Sequence, residues 1–529
     1  MPQIFTRTTG WNLQRNLCAS GSMSGLPADE TLRGDRIAMD APFSRVEVST
    51  SKAFTGPKIL FFLFLCSLPL VNPWVRGDGV GYYAYLRAAL IDHDMRFEKD
   101  YLAANRSFVI ALTDANEHLL PELYTKTGYV GNHFAVGPAL LWAPVMVAVH
   151  GAVLLSDHLG AHVAADGYSR PYLLAMAITT ACYGFLALFL AYRIARKYFD
   201  EQNSLLATLG IWLASSLPIY MYFNPSWSHA LSAFTVSLYL WYWERTKRTR
   251  TVGQWALLGV AAGLMGNVYY PNAILLIFPA IEGAFLLLEK RKPGLTVIRI
   301  QDLAISYGIF FAAFFAALLP TFITRKIIYG SPFETGYPPV WTWNWTSPVF
   351  LKVLFSSDHG MFTWTPILIF AVAGIPFLMK RDALLGLGSA STFLAFYYFI
   401  SSYPDWDGIS SFGNRFFVSL TPIFILGLAA LLSSLAKWLG SASRAAMVAG
   451  PAIGLLILWN LAFIFQWGTH MVPARGEISW SAMVHNQFEA VPQQLTQNVK
   501  IYFSDRGAMM KHIEQEDLEQ QHLTDKGGK

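Results

Sequence analysis

Apolar runs of about 20 residues recur along this chain, each long enough to cross a ~30 Å hydrocarbon core as a helix. Inside lipid every backbone N–H and C=O must find its partner within the protein, which leaves helices or closed barrels as spanning structures. Unbroken apolar runs of this length predict helices. The expected fold class is therefore an all-α polytopic membrane protein. Composition agrees, since 54% of the 529 residues are hydrophobic and only 14% are charged, against about 25% in soluble domains. The 39 Lys and Arg exceed the 34 Asp and Glu by only five, too few to argue for nucleic acid as a partner. The three cysteines, Cys18, Cys66 and Cys182, set out neither a disulfide framework nor a metal-ligand spacing. Neither G-x-x-x-x-G-K-[ST] nor G-x-G-x-x-G occurs, so cytosolic nucleotide chemistry has no motif here.

Basic clusters orient the spans. Residues 1–57 are polar and read as a disordered cytoplasmic tail. A first span over about 59–75 then delivers Arg76-Gly77-Asp78-Gly79 to the outer surface. Arg193, Arg196 and Lys197 close the run 171–192 and mark the inside again. An even number of crossings must separate two cytoplasmic clusters, so the run 133–155, broken by Gly137, Pro138, Pro144 and Gly151, is expected to lie along the outer face. The alternative is an ordinary span. Parity also makes 203–243 a hairpin turning at Asn224-Pro225-Ser226. Residues 255–288 would run about 50 Å as one helix, so two short spans turning at Tyr270-Pro271-Asn272 are expected. Further spans follow at 304–328, 361–379, 383–402, 415–436 and 446–467. The total is about eleven, with a transmembrane domain over 58–467, a first outer loop over 76–170 and an outer C-terminal tail over 468–529.

Every large polar loop then faces outward, and chemistry is expected there. Asp78 sits just past the first span, where a carboxylate can act as general base toward an acceptor hydroxyl or amine. The plainer reading is a solvated interfacial acid. Val80–Phe97 reads as an interfacial helix whose tyrosines are belt residues. Outward cations and imidazoles that could hold an anion are His133, Arg170, His229, Arg325, Lys326, His359 and Arg415. Arg325 and Lys326 sit against the positive-inside bias, although snorkelling to headgroups accounts for such residues equally well. His359 and Arg415 each stand beside glycine at the mouth of a span. Asp405-Trp406-Asp407 and Asp92-His93-Asp94 are short D-x-D patterns that could hold a divalent cation. No metal or other cofactor is expected, and Asp407 is read instead as orienting Arg415 or an acceptor.

Several segments carry a resemblance. Gly77-Asp78-Gly79 through Leu86-Arg87, Gly131-Asn132-His133-Phe134 with Gly137-Pro138-Ala139-Leu140-Leu141-Trp142, and Ser169-Arg170-Pro171 together resemble the GT-C glycosyltransferases, nearest the bacterial protein O-mannosyltransferase-like and aminoarabinose-transferase-like enzymes. The resemblance covers roughly 60–245. It implies a GT-C-like helix bundle in the bacterial inner membrane and an extracytoplasmic site with Asp78 as catalytic acid/base. It also implies a polyprenyl-phosphate-linked sugar as donor to a protein, lipid or glycan acceptor. That family often carries Asp-Glu in the first outer loop, where this chain has Asp78-Gly79. Two further readings stay open from the residues: a flippase for a lipid-linked sugar, and a polymerase or ligase using a diphosphate carrier. The first needs midplane polar groups and inverted repeats, and neither is evident.

Overall fold

The computed structural model describes residues 55–289, 299–473 and 478–527. The expected disordered tail lies almost wholly outside the described residues. Among them the protein is helical and contains no strand. The resulting all-α membrane bundle is the expected fold class.

The first helix, Gly56–Ser67, starts with Pro57 in its first turn, where a missing N–H costs nothing. It presents Phe61, Phe62 and Leu65 outward, as a lipid-facing helix does. Among the described residues, seven helices are long and apolar enough to cross a membrane, Gly137–His158 and Arg170–Tyr198 included. The expected count of eleven is not reproduced as such. Gly56–Leu70 and Val252–Val268 are apolar but shorter. The expected single span 304–328 is two helices, Ile300–Ala317 and Leu319–Tyr329. Pro320 lies in the first turn of the second helix, which fits a fresh start rather than a continuous span. The break expected near Tyr270-Pro271-Asn272 is present as a 3₁₀ turn, Tyr270–Leu276. The hairpin expected in 203–243 forms from Glu201–Leu213 and His229–Thr246, with the chain reversing through 214–228.

Small residues set the closest helix crossings. A Cβ on Gly374 would fall on the backbone of Gly427, and one on Gly427 would fall on the carbonyl of Ala371. This brings helices Ile367–Arg381 and Thr421–Trp438 into backbone contact. Gly259 and Gly263, one turn apart, do the same against Phe310, Phe314 and Ala317 of helix Ile300–Ala317. Helix Thr421–Trp438 is the buried centre of the bundle and also packs against Arg170–Tyr198 and Glu201–Leu213.

The C-terminal tail is ordered helix: Trp480–His485 continues through a π-turn into Val491–Ser504, and Arg506–Gly527 follows. It folds back onto the first span and first loop. Tyr502 donates to the carbonyl of Leu70 at 2.7 Å, and Arg506 donates to the carbonyls of Pro69 and Val71. Glu514 accepts from Asn105 Nδ2 and from the Ser107 backbone N–H. Asp517 pairs with Arg76 at 2.6 Å.

Candidate active site

Helix Asp78–Arg87 is the frame of the site. It begins at Asp78, directly after Gly77 at φ +53°. A side chain at 77 would be strained and would meet Trp227 at 3.0 Å. The carboxylate in the first turn is favourably placed against the helix dipole. Two turns later Arg87 is clamped. It donates to Asp92 at 2.7 Å and to the carbonyl of Asp166 at 2.8 Å, and it lies over the Tyr168 ring. Nine of the ten residues of this helix are buried. It is therefore embedded among the first-loop segments and does not float on the surface.

Asp78 Oδ2 meets Arg415 Nη1 at 2.6 Å. The two residues are 337 positions apart and come from the start of helix Asp78–Arg87 and from the segment that leads into the central helix. The Arg415 guanidinium lies over the Trp227 ring, 4.5 Å from its centre. Trp227 is fixed in turn by donating Nε1–H to the carbonyl of Arg76 at 2.9 Å. The turn 405–411 closes on the other side, and a Cβ at Gly408 (φ +74°) would meet Arg415 Nε at 3.1 Å.

Tyr82, one turn after Asp78, is buried; its hydroxyl accepts from Ser228 at 3.0 Å, and its ring packs on Phe134. Burial, and then the Asp78 charge, push its hydroxyl pKa up, so it stays protonated. His229 is buried against Tyr220 and Trp227. His133 packs edge-on to Tyr337 at 4.7 Å. Burial lowers the His133 pKa; the Asp78 charge opposes this while Arg325 and Arg415 assist it. The imidazole is therefore neutral at pH 7.

Among the described residues, Arg415 Nε, His229 Nδ1, Ser226 Oγ and Asn414 Oδ1 are buried here without a hydrogen-bond partner. They come from two short segments, 226–229 and 414–415. Unsatisfied buried groups are costly, and a polar ligand entering between these two segments would relieve that cost.

The structure thus brings Asp78, Arg415, His229 and His133 into one region. Asp407 contributes through its turn, accepting from the Ile409 N–H one residue beyond Gly408. Arg325 has another task. It is buried, and its guanidinium donates to the carbonyls of Asn132 (2.5 Å), His133 (2.9 Å) and Phe134 (2.7 Å) and to Tyr270. It clasps the loop that carries His133, and each of its three nitrogens already donates to a partner. Lys326 is exposed and reaches forward to the carbonyl of Gly330, at the C-terminal end of its own helix. Arg170 is exposed at the start of its helix, three residues from Gly167, which packs on Arg87 at the far end of helix Asp78–Arg87. His359 is fully buried with its ring 5.0 Å from that of Trp364. Of the D-x-D residues, Asp92 is taken by Arg87 and by Lys99 at 3.3 Å. Among the described residues no three His, Cys, Asp or Glu side chains gather as metal ligands.

Sequence reasoning missed Trp227, Ser226 and Asn414, and read Tyr82 as a belt residue. Tyr82 had a signal, because four residues after Asp78 puts both on one helical face. Trp227 had none, since only the tertiary fold lays it beneath Arg415.

Fold and site together are those of a multi-pass helical membrane protein with a paired acid and arginine at the mouth of its bundle. Residues 172–314 match the family model described as dolichyl-phosphate-mannose-protein mannosyltransferase, and the resemblance to GT-C glycosyltransferases is borne out. No curated protein sequence matches the chain. Among solved structures, an Archaeoglobus fulgidus oligosaccharyltransferase in complex with Zn and sulfate is similar at 17% identity and a TM-score of 0.47, covering 78% of this chain. The oligosaccharyltransferase AglB of the same organism, in complex with an inhibitory peptide and a dolichol-phosphate, has 13% identity, a TM-score of 0.45 and 83% coverage. ArnT from Cupriavidus metallidurans, bound to undecaprenyl phosphate, has 14% identity, a TM-score of 0.42, and coverage of 78% of this chain and 70% of that one. The chain spans 55% and 54% of the two oligosaccharyltransferase chains.

Proposed function

We propose that this protein is a membrane glycosyltransferase that moves a sugar from a polyprenyl-phosphate carrier to an acceptor on the extracytoplasmic face of a bacterial inner membrane. The observation that carries this reading is the Asp78–Arg415 pair at 2.6 Å, set among buried polar atoms that lack partners. In the reaction, the acceptor's O–H or N–H proton goes to Asp78 as its heteroatom attacks the anomeric carbon. The bond from that carbon to the phosphate oxygen breaks, and the lipid phosphate leaves with the electron pair. One displacement at the anomeric carbon inverts its configuration. The leaving phosphate gains charge as the bond breaks, and a guanidinium already fixed on Trp227 stabilises that charge without reorganising. Arg415 Nε is a free donor for this purpose. A donor phosphate met through Nε shares the charge of the guanidinium, which weakens its hold on the Asp78 carboxylate and leaves that group to take the proton. His229 and the neutral His133 lie within the same cluster and supply further hydrogen bonds to sugar or phosphate.

The test compares cells lacking the native copy that carry either wild-type protein or Asp78→Asn at equal membrane abundance. Mass spectrometry of the lipids and of the glycome then follows both ends of the reaction. The variant is expected to accumulate polyprenyl-phosphate sugar and to lose transfer by about 10²-fold or more, the scale of general-base loss. Undiminished transfer by Asp78→Asn would falsify the mechanism. Loss of transfer with sugar-bearing lipid trapped on the cytoplasmic leaflet would point to a flippase instead.

A further inference from the structure

The tail helix over 480–504 exposes one row of large apolar side chains: Trp480, Val484, Phe488, Leu495, Val499 and Phe503. The steps are four, four, seven, four and four residues, which keep them on one face. One position further along runs a polar row, including His485, Glu489, Gln493, Lys500 and Ser504, also exposed. The opposite edge is seated, with Met483, Gln487 and Val491 buried. An apolar row of this size open to water is unusual for a soluble surface, so something covers it.

The neighbours of this helix say what. Gln487 donates to the carbonyl of Trp459 at 2.7 Å, and Phe488 packs on the Trp459 ring. Trp459 belongs to helix Ala442–Gly468, whose exposed Leu455, Leu458 and Leu461 make it lipid-facing. That helix has 27 residues, about 40 Å, so its last turns rise beyond a ~30 Å core. Trp459, nine residues before the end of that helix, is about 14 Å below that end along the axis, a few ångström inside the boundary when the helix is seated at its other end. At its other end the tail helix meets the first span, where Tyr502 donates to Leu70, above the exposed Phe61, Phe62 and Leu65. The apolar row is therefore continuous with two lipid-facing helices.

We propose that 480–504 is an interfacial helix, with its apolar row immersed at the headgroup–acyl boundary of the leaflet into which residue 468 emerges. Its partner is the lipid surface, and it lashes the outer ends of the first and last spans together. This holds whatever the protein transfers.

The test uses the full chain in phosphatidylcholine–phosphatidylglycerol vesicles, with Cys18, Cys66 and Cys182 replaced by Ser. Spin labels are placed one at a time through Val484→Cys, Phe488→Cys, Leu495→Cys and Val499→Cys, with Lys500→Cys as the polar-row reference. Collision with oxygen is expected to exceed collision with an aqueous nickel chelate at the four apolar positions, with the reverse at 500. If the four positions match 500, the inference is overturned. Dipolar broadening between labels on separate molecules would overturn it too, because the row would then be covered by a second copy of the chain. Four independent positions keep the result readable if one label perturbs its surroundings.

Discussion

At the scale of single residues, Gly79, which stands where the resembled glycosyltransferases often carry a glutamate, has a steric reason to be glycine. A Cβ at Gly79 would fall on Ser226 Oγ and Cβ and would meet Trp227 at 3.2 Å. A glutamate there would push aside the segment that supports Arg415. Gly79→Glu is therefore expected to impair transfer about as severely as loss of Arg415 itself, while Gly79→Ser should be partly tolerated; lipid-donor accumulation in cells reads both. Arg415→Lys keeps the charge but loses the planar stack on Trp227 and the Nε donor. A loss of roughly 10²-fold in transfer is expected, comparable to removing one donor to a developing anion, with melting of the purified protein little changed. Asp78 and Arg415 were both legible in the sequence, because an acid after the first span and a cation at a span's mouth stand out by position. That they touch was not legible, since no local rule links residues 337 positions apart. Arg325 shows the converse. Its anomalous placement was visible, but its three carbonyl partners come from a loop almost two hundred residues away.

At the scale of elements, the clasp and the clamp are separable by experiment. Arg325→Ala would leave the carbonyls of Asn132, His133 and Phe134 without their shared donor. A loss of roughly 3 kcal/mol or more is expected, seen as a lower melting temperature together with faster proteolysis within 120–136. The first loop also carries a pH response. Asp100 is 1% exposed, held by Tyr168 at 2.8 Å and Arg87 at 3.4 Å. Burial pushes its pKa up to about 6 despite those two partners. A carboxyl whose folded pKa exceeds its unfolded 3.8 contributes stability that is fully present below 3.8 and is lost as pH rises through about 6. Hydrogen exchange across 98–110 should therefore slow as pH falls from 7 to 4, after correction for intrinsic rates, and Asp100→Asn should abolish that dependence. His133 acts in the opposite sense: its depressed pKa makes acidification below the ordinary histidine range destabilising for 131–137. The ends of most apolar helices were readable to within a few residues, because length and charge mark them. The break at Pro320 was not anticipated, because the apolar pattern continues across it.

At the scale of the whole molecule, the fold class followed from hydrophobic length alone, whereas the ordered tail did not. Residues 480–527 are only weakly apolar, and their order comes from partners at 69–76, 105–107 and 459 that no neighbouring sequence announces. The Arg76–Asp517 pair ties this tail within two residues of Asp78, and Arg76 also holds Trp227 through its carbonyl. Arg76→Asp and Asp517→Arg should each lower transfer several-fold, and the double exchange should recover most of it. If the exchange recovers nothing while both singles fold normally, the pair has no part in holding the site. The contacts between 69–76 and 502–517 span more than 430 positions. A ribosome builds the chain from its N-terminus, so the supports beneath Asp78 are complete only once residues 502–517 have been made. A nascent chain stopped before residue 502 would carry its apolar helices without these supports, so the corner around Asp78 is expected to stay loose until the segment 502–517 docks on it.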